Sequence, residues 1–194
     1  LFRSIVAETL KESKEVLFTK SEETIKSIKE KESVVDKLSA GITDYAIKIT
    51  ALQVSEKEHQ DVAHLLQVVS DMERICDYCE NISEYAEAMR DKKLEFSEIA
   101  TEEIKQMMDV CVESYLYAKE AFFEKNSEKA VKVIEKETLA DDLEVRLRNK
   151  HIKRLANNQC NAETGIFYLD TLVSMERISD HARNIAEEIM NPEN

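Results

Sequence analysis

The sequence MERISDHARNI, residues 175–185, lies near the end of the chain, and MERICDYCENI, residues 72–82, is a near copy of it. In both copies a Glu and an Asp are four residues apart. On a helix this spacing places two carboxylates on one face, about 40° apart around the axis. An Asn follows each Asp one further turn along and extends the same stripe. A stripe of oxygen ligands that occurs twice predicts a repeated helical unit with a repeated polar site.

The composition predicts an all-α protein. The 194 residues include only two glycines and one proline, and Pro192 lies at the end of the chain. So few helix-breaking residues over this length indicate long helices with short connections. The apolar residues recur with the period of a helix and predict six of them. We expect these helices over about residues 1–20, 22–53, 55–90, 97–125, 127–156 and 162–190, with Ser21, Ser55, Ser97 and either Asn126 or Ser127 as N-caps.

The second half of the chain repeats the first. Residues 14–38 align without gaps to residues 119–143 at an offset of 105, whereas the two Met-Glu-Arg-Ile segments align at an offset of 103. An internal duplication of this length predicts two copies of a three-helix unit. We place the first copy at residues 1–92 and the second at residues 93–194.

The alignment reveals a second carboxylate pair in each repeat, because Glu32 and Asp36 on the second helix correspond to Glu137 and Asp141 on the fifth. Counted from the connecting turn at about 1.5 Å per residue, the pairs on neighbouring antiparallel helices lie at similar heights. Carboxylates that face each other repel unless cations lie between them, and their oxygens suit Mg, Ca, Mn or Fe. The pattern therefore predicts two metal sites, formed by Glu32, Asp36, Glu73 and Asp77 and by Glu137, Asp141, Glu176 and Asp180.

The same acidic residues have an alternative interpretation. In a chain with 40 acidic residues, acidic pairs four residues apart are common on solvated helix faces. Arg74 and Arg177 lie beside the predicted ligands and could form salt bridges with them. In the metal interpretation, Asn81 and Asn184 could orient ligands or waters from the next turn of the helix.

The cysteines and histidines do not form a further metal site of recognisable spacing. Cys76 and Cys79 form a lone CxxC pair within a helix, and a zinc site would need two more ligands. We expect these two cysteines to be small buried apolar residues in a reducing cytosol. We expect the histidines at surface or boundary positions, with His181 pointing about 100° away from the acidic stripe. A ferritin-like di-metal enzyme would need two buried Glu-x-x-His motifs and is disfavoured.

The formal net charge of −13 makes nucleic acid a poor partner, and it would also repel free phosphate unless a bound cation mediates. The one basic cluster comprises Arg146, Arg148, Lys150, Lys153 and Arg154. Its simplest role is favourable charge near the end of the fifth helix, and the alternative is contact with an anionic partner or membrane surface. No apolar run is long enough to span a bilayer. Because the chain starts within a helical pattern and without Met, we expect a fragment of a longer protein.

The motif on the sixth helix resembles a known family. ERISDHARNIA, residues 176–186, preceded by GIFYLD at residues 165–170, is similar to the PhoU family, and most of all to the PhoU-like domain of bacterial sodium/phosphate cotransporters. The resemblance covers both repeats. The chain departs from the family pattern at Cys76 and Ser179, where Gly is frequent, and at Tyr78, where His is frequent.

The resemblance implies two three-helix bundles, a role in regulating phosphate uptake, and metal at the four ExxxD motifs, as iron or zinc clusters in some members. We therefore expect a non-enzymatic, cytoplasmic regulatory domain of a sodium/phosphate symporter at the inner face of the membrane. Its partners would be the transporter's membrane domain or phosphate-signalling proteins, phosphate held through the metal, and a second copy of itself. The alternatives are a stand-alone PhoU-type regulator and a metal-free helical adaptor. The metal could be Fe, Zn, Mg, Ca or Mn.

Overall fold

A computed structural model describes residues 1–52 and 55–190, and all regular secondary structure in these ranges is helical. None of these helices is both long and apolar enough to cross a membrane. The predicted helices are confirmed to within a few residues at their ends. The predicted ends of the second helix near residue 53 and of the second repeat at residue 194 lie outside the described residues. The helices are α1 (Phe2–Thr19), α2 (Glu22–Thr50), α3 (Glu56–Asp91), α4 (Glu98–Glu124), α5 (Ser127–Ala156) and α6 (Ala162–Met190).

Polar side chains begin the helices where the sequence predicts them. Ser21, Ser55 and Ser97 each accept a hydrogen bond from the backbone N–H three residues further on. Of the two candidates for α5, Asn126 and not Ser127 is the cap, because the Asn126 side chain accepts the equivalent bond. Each such bond satisfies an amide that has no partner inside the helix, and this fixes where the helix begins.

The turns that end α1 and α4 have the same geometry and contain no glycine. Lys20 and Lys125, which the offset of 105 aligns, both adopt the left-handed conformation, with φ of 50° and 51°. A left-handed residue after a helix ends it and redirects the chain. The two repeats therefore turn from their first to their second helix in the same way.

The core is organised around α3 and α6, which pack against each other. They run antiparallel, because Asp71 on α3 contacts His181 on α6 while Tyr85, further along α3, contacts the earlier Phe167. Helices α1 and α2 cover α3, and α4 and α5 cover α6, with an additional contact between α1 and α4. One continuous apolar core therefore joins the two three-helix units.

Three of the four cysteines lie in this core. Cys76, Cys79 and Cys111 have no exposed surface, and their burial raises the pKa of each thiol. Cys76 and Cys79 are the small buried apolar residues that the sequence predicts. Cys160 is half-buried in the turn before α6.

Candidate metal centres

In the first repeat, three of the predicted carboxylates converge between two helices. One oxygen from each of Glu32, Asp36 and Asp77 lies within 4.8 Å of the other two. Helix α2 supplies the first two residues, one turn apart, and α3 supplies the third. Asp36 is exposed and the other two are half-buried, so this group, the first cluster, is open to solvent. Metal–oxygen bonds of about 2.0–2.6 Å place the ligand oxygens of one ion at such separations, so these donors fit a bound cation.

The second repeat brings together the equivalent residues. Oxygens of Glu137, Asp141 and Asp180, from α5 and α6, lie as close to one another as those of the first cluster. Glu137 is buried, Asp141 is exposed and Asp180 is half-buried. This group is the second cluster, and it fits a cation by the same reasoning. The stacking predicted from residue spacing is thus seen for three carboxylates per repeat.

Glu73 and Glu176, the fourth predicted ligand of each site, lie outside these three-oxygen groups. Each is near the arginine that follows it, with 3.9 Å from Glu73 Oε2 to Arg74 Nε and 3.4 Å from Glu176 Oε2 to Arg177 Nε. Burial, and then the charge of the Asp one turn further on, raises the pKa of both glutamates. They belong to the same negative environment, and their role as ligands stays a prediction.

The salt bridges of the alternative interpretation are also present. Arg74 Nη1 donates to Asp77 Oδ2 at 3.0 Å, and Arg177 Nη1 donates to Asp180 Oδ2 at 3.0 Å. Both arginines are more than half exposed, and an exposed ion pair contributes little stability. Each bridge engages one carboxylate of a cluster and leaves the other two without this partner.

The negative charge that remains in the first cluster affects the pKa of Glu32. Burial, a hydrogen bond with Asp36 and the nearby charges of Glu80, Asp36 and Asp77 raise its pKa to about 7. In the second cluster, burial and the charges of Glu137 and Asp180 raise the pKa of Asp141. Carboxylates resist ionisation when like charges lie close and neutralising groups are few, and a cation between them would remove that cost.

Beside the clusters, a buried carboxylate joins α3 to α6. Asp71 is only 3% exposed and contacts His181 Nδ1 at 2.8 Å, Asn184 Nδ2 at 3.0 Å and Gln67 Nε2 at 3.1 Å. The His181 ring also stacks on Tyr78 with its centroid 5.8 Å away. His181 and Asn184 thus both bind the same carboxylate of α3 and form part of the contact between the repeats.

A second polar network lies at the far end of the second repeat. Glu103 on α4 accepts two hydrogen bonds from Arg154 on α5, at 3.1 and 2.7 Å, and one from Tyr168 on α6 at 2.7 Å. Although burial opposes it, the bonds from Arg154 and Tyr168 lower the pKa of Glu103. Lys150 Nζ lies 3.7 Å from the same carboxylate. Arg154 and Lys150, two members of the basic cluster, therefore interact with the buried carboxylate of Glu103.

His151 lines a cavity of about 300 Å³ beside this network. It is 3% exposed, so the expected surface or boundary position is wrong for this histidine. The reason is Gly165 on α6, where a Cβ would lie only 2.5 Å from His151 Nε2. Without that Cβ the ring packs against the α6 backbone and 4.8 Å from the Tyr168 ring. Burial lowers the pKa of His151 and favours the neutral ring.

The sequence analysis missed two sets of residues. Glu80 and Arg183, beside the clusters, correspond at the offset of 103 inside the aligned segments 72–82 and 175–185, where their opposite charges were the available signal. The contact between Glu103 and Arg154 had no such signal, because the residues lie 51 positions apart on different helices. Neither the helical periodicity of the sequence nor its internal repeat indicates that these two residues are in contact.

Comparison with known proteins agrees with this fold and its duplication. The PhoU domain matches residues 2–86 and residues 104–189, one match in each repeat. The chain is 26% identical over 187 residues to the phosphate-specific transport system accessory protein PhoU homolog 1 of Thermotoga maritima, covering 96% of this chain and 80% of that protein. It is 21% identical over 175 residues to the corresponding PhoU homolog of Clostridium acetobutylicum, covering 89% and 78%.

Two solved structures have the same fold. PhoU from Pseudomonas aeruginosa superposes with a TM-score of 0.91 at 18% identity, over 98% of this chain and 90% of that one. The phosphate transport system regulatory protein PhoU from Streptococcus pneumoniae superposes with a TM-score of 0.87 at 21% identity, over 100% and 90%. The predicted all-α fold of two three-helix bundles is confirmed. Because the PhoU domain matches most of the chain, once in each repeat, the chain belongs to the PhoU family.

Proposed function

We propose that this chain is a non-enzymatic, PhoU-type regulator of phosphate transport whose two carboxylate clusters bind metal ions. The observation that carries the metal proposal is the convergence of three carboxylates from two helices at equivalent positions in both repeats. Repulsion would separate such groups. An arginine pairs with one carboxylate of the first cluster and two arginines pair with two carboxylates of the second, so each cluster keeps at least one carboxylate without an arginine partner among the described residues. Oxygen donors of this kind favour hard or borderline cations such as Mg, Mn, Ca, Fe or Zn.

The comparisons support a role as a PhoU-type accessory protein better than the expected role as a symporter domain. Both curated relatives are named as accessory proteins of a phosphate-specific transport system, and one solved neighbour is named as a regulatory protein of phosphate transport. None of these names refers to a sodium/phosphate symporter. We therefore propose components of a phosphate transport or signalling system as the partners.

A bound metal would act on the packing of the helices. In the first cluster it would connect Glu32 and Asp36 on α2 to Asp77 on α3 and replace repulsion by shared attraction. The second cluster would connect α5 to α6 in the same way. A metal with open coordination positions would also give phosphate a favourable contact on a surface whose net charge of −13 otherwise repels it. Metal loading and phosphate could then both change the surface that a partner meets.

Metal content and thermal melting test this proposal. We expect Mn²⁺ at about 100 times its Kd to stabilise the chelator-treated protein by about 2.7 kcal/mol and raise Tm by about 5–10 °C. Inorganic phosphate should bind the Mn²⁺-loaded protein and not the metal-free one. The combination of E32Q, D36N and D77N in the first cluster and E137Q, D141N and D180N in the second should abolish the Mn²⁺ response.

Glu98 and Glu102 provide a matched control, because they are an exposed acidic pair four residues apart on α4. The E98Q/E102Q variant should keep the Mn²⁺ response of the unsubstituted chain. If Mn²⁺ changes neither the Tm nor the metal content of the unsubstituted chain, the clusters are not metal sites. The helical adaptor without metal would then be the better interpretation.

A further inference from the structure

The two clusters differ in charge at two aligned positions, one on the second helix of each repeat and one on the third. Three residues after the Asp of the third-helix motif, the first repeat has Glu80 and the second has Arg183. A residue three positions on lies on the same helix face, one turn away, so both side chains flank their cluster. The exchange of Glu for Arg changes the charge at this position by two units. On the second helix, Lys37 and Asp142 make the opposite exchange next to Asp36 and Asp141, but both of these side chains are exposed to solvent, which screens their charge.

In the second cluster the guanidinium of Arg183 already occupies a position that suits a cation. Arg183 Nη1 donates to Glu137 Oε1 at 2.7 Å, and its Nε donates to Glu187 Oε1 at 2.8 Å. The Glu137 side chain is only 6% exposed, so this carboxylate has little water to replace the guanidinium. Glu187, one turn along α6, is half exposed and could hold Arg183 when Nη1 leaves Glu137.

The first cluster has the opposite arrangement. Glu80 adds a negative charge on α3 one turn from Asp77. Lys29 on α2 forms its ion pair with Glu87, with 2.7 Å from Nζ to Oε2, and the part of the chain that the structure describes has no ion pair to Glu80. The first cluster thus has an acid at the position where the second has an arginine.

We propose that the two metal sites are unequal: the first cluster binds a divalent cation more tightly, with Glu80 as an additional ligand or counter-charge, and Arg183 holds the second cluster in a metal-free form. A cation enters the second site only when Arg183 releases Glu137 and stays on Glu187. Loading therefore has two steps, and the second step includes a change in the side-chain contacts of α6. This inference rests on the proposed metal function and adds an order of filling to it.

Calorimetric titration of the full chain with Mn²⁺ tests the proposal. We expect two steps whose affinities differ by about tenfold or more, since the second ion has to displace Arg183 from the buried Glu137 and a hydrogen bond between charged groups is worth at least that factor. Replacing Arg183 by Glu (R183E) should strengthen the second step by about tenfold or more. E80R should weaken the first step by a similar factor, and the E80R/R183E double variant should exchange the order in which the clusters fill. Neutralising one cluster at a time, with E32Q/D36N/D77N or E137Q/D141N/D180N, assigns each step to a repeat.

The controls separate this inference from the function on which it rests. K105E makes the same two-unit charge change on α4, outside both clusters, and should leave both steps unchanged. R183Q, which keeps a hydrogen-bonding side chain, should strengthen the second step less than R183E and serves if R183E fails to fold. Equal affinities in the unsubstituted chain, or a second step that neither R183Q nor R183E alters, would overturn the inequality and leave the metal sites standing. No Mn²⁺ binding at either cluster would overturn the metal function itself.

Discussion

At the end of each repeat that is distant from its carboxylate cluster, the two repeats have the same helical backbone but different side chains. Where the first repeat has small or apolar residues, the second has an arginine, a tyrosine and a histidine around a buried glutamate. The difference shows that duplication preserves helix starts, turns and the apolar core, while polar positions diverge freely once their partners change with them. The aligned pairs are Ala46 with His151, Ile49 with Arg154, Val62 with Gly165 and Leu65 with Tyr168.

Removing the centre of the polar network should have the largest effect. In the E103Q variant, Arg154 keeps its charge but loses its carboxylate, and we expect a loss of about 3 kcal/mol in the free energy of unfolding, because a largely buried charge is left unpaired. Urea denaturation measures it. The neighbouring E102Q should change stability by less than about 0.5 kcal/mol, because Glu102 is exposed. Equal effects of the two variants would show that the network adds nothing to stability.

The next prediction replaces residues at this end of the second repeat by the aligned residues of the first. G165V places a side chain against the His151 ring and should cost about 2 kcal/mol through overpacking. The double variant G165V/H151A recreates the aligned pair of Val62 and Ala46 and should recover most of that loss. A double-mutant cycle from urea denaturation measures the coupling. Additive effects would mean that His151 and Gly165 are not packed as a complementary pair.

The smallest effect concerns the two clusters, and it depends on pH. Because the pKa of Glu32 is raised to about 7 in the folded state from 4.5, the folded chain holds this proton more tightly than the unfolded chain does. Stability therefore falls as pH rises from about 4.5 to 7, and in metal-free protein Tm should be higher at pH 5.5 than at pH 8. E32Q should reduce this difference.

The corresponding variant in the second cluster should behave differently. E137Q removes the carboxylate that Arg183 holds, so we expect it to lower Tm at both pH values. Differential scanning calorimetry of the two variants at pH 5.5 and pH 8 makes the comparison. Identical pH profiles for E32Q and E137Q would mean that Glu80 and Arg183 do not distinguish the clusters.

Much of the first cluster could be predicted from the chain alone, because its residues come from local periodicity and from repetition. The ExxxD spacing places Glu32 and Asp36 on one helix face, and the short loop brings Asp77 level with them. The position of Glu73 outside the three-oxygen group was not predictable in this way. Whether a fourth side chain reaches a cluster depends on the rotation of each helix about its axis, which packing sets.

Local rules determined the helices, their caps and the duplication, because each of these depends on neighbours within a few residues or on a repeated pattern. The tertiary structure alone decided that Asp71 meets His181, that Glu103 meets Arg154 and that His151 is buried. Such contacts join helices that are distant in sequence. Their formation follows from how ridges and gaps on whole helices fit together, and a single missing Cβ at Gly165 is enough to change which side chain is buried.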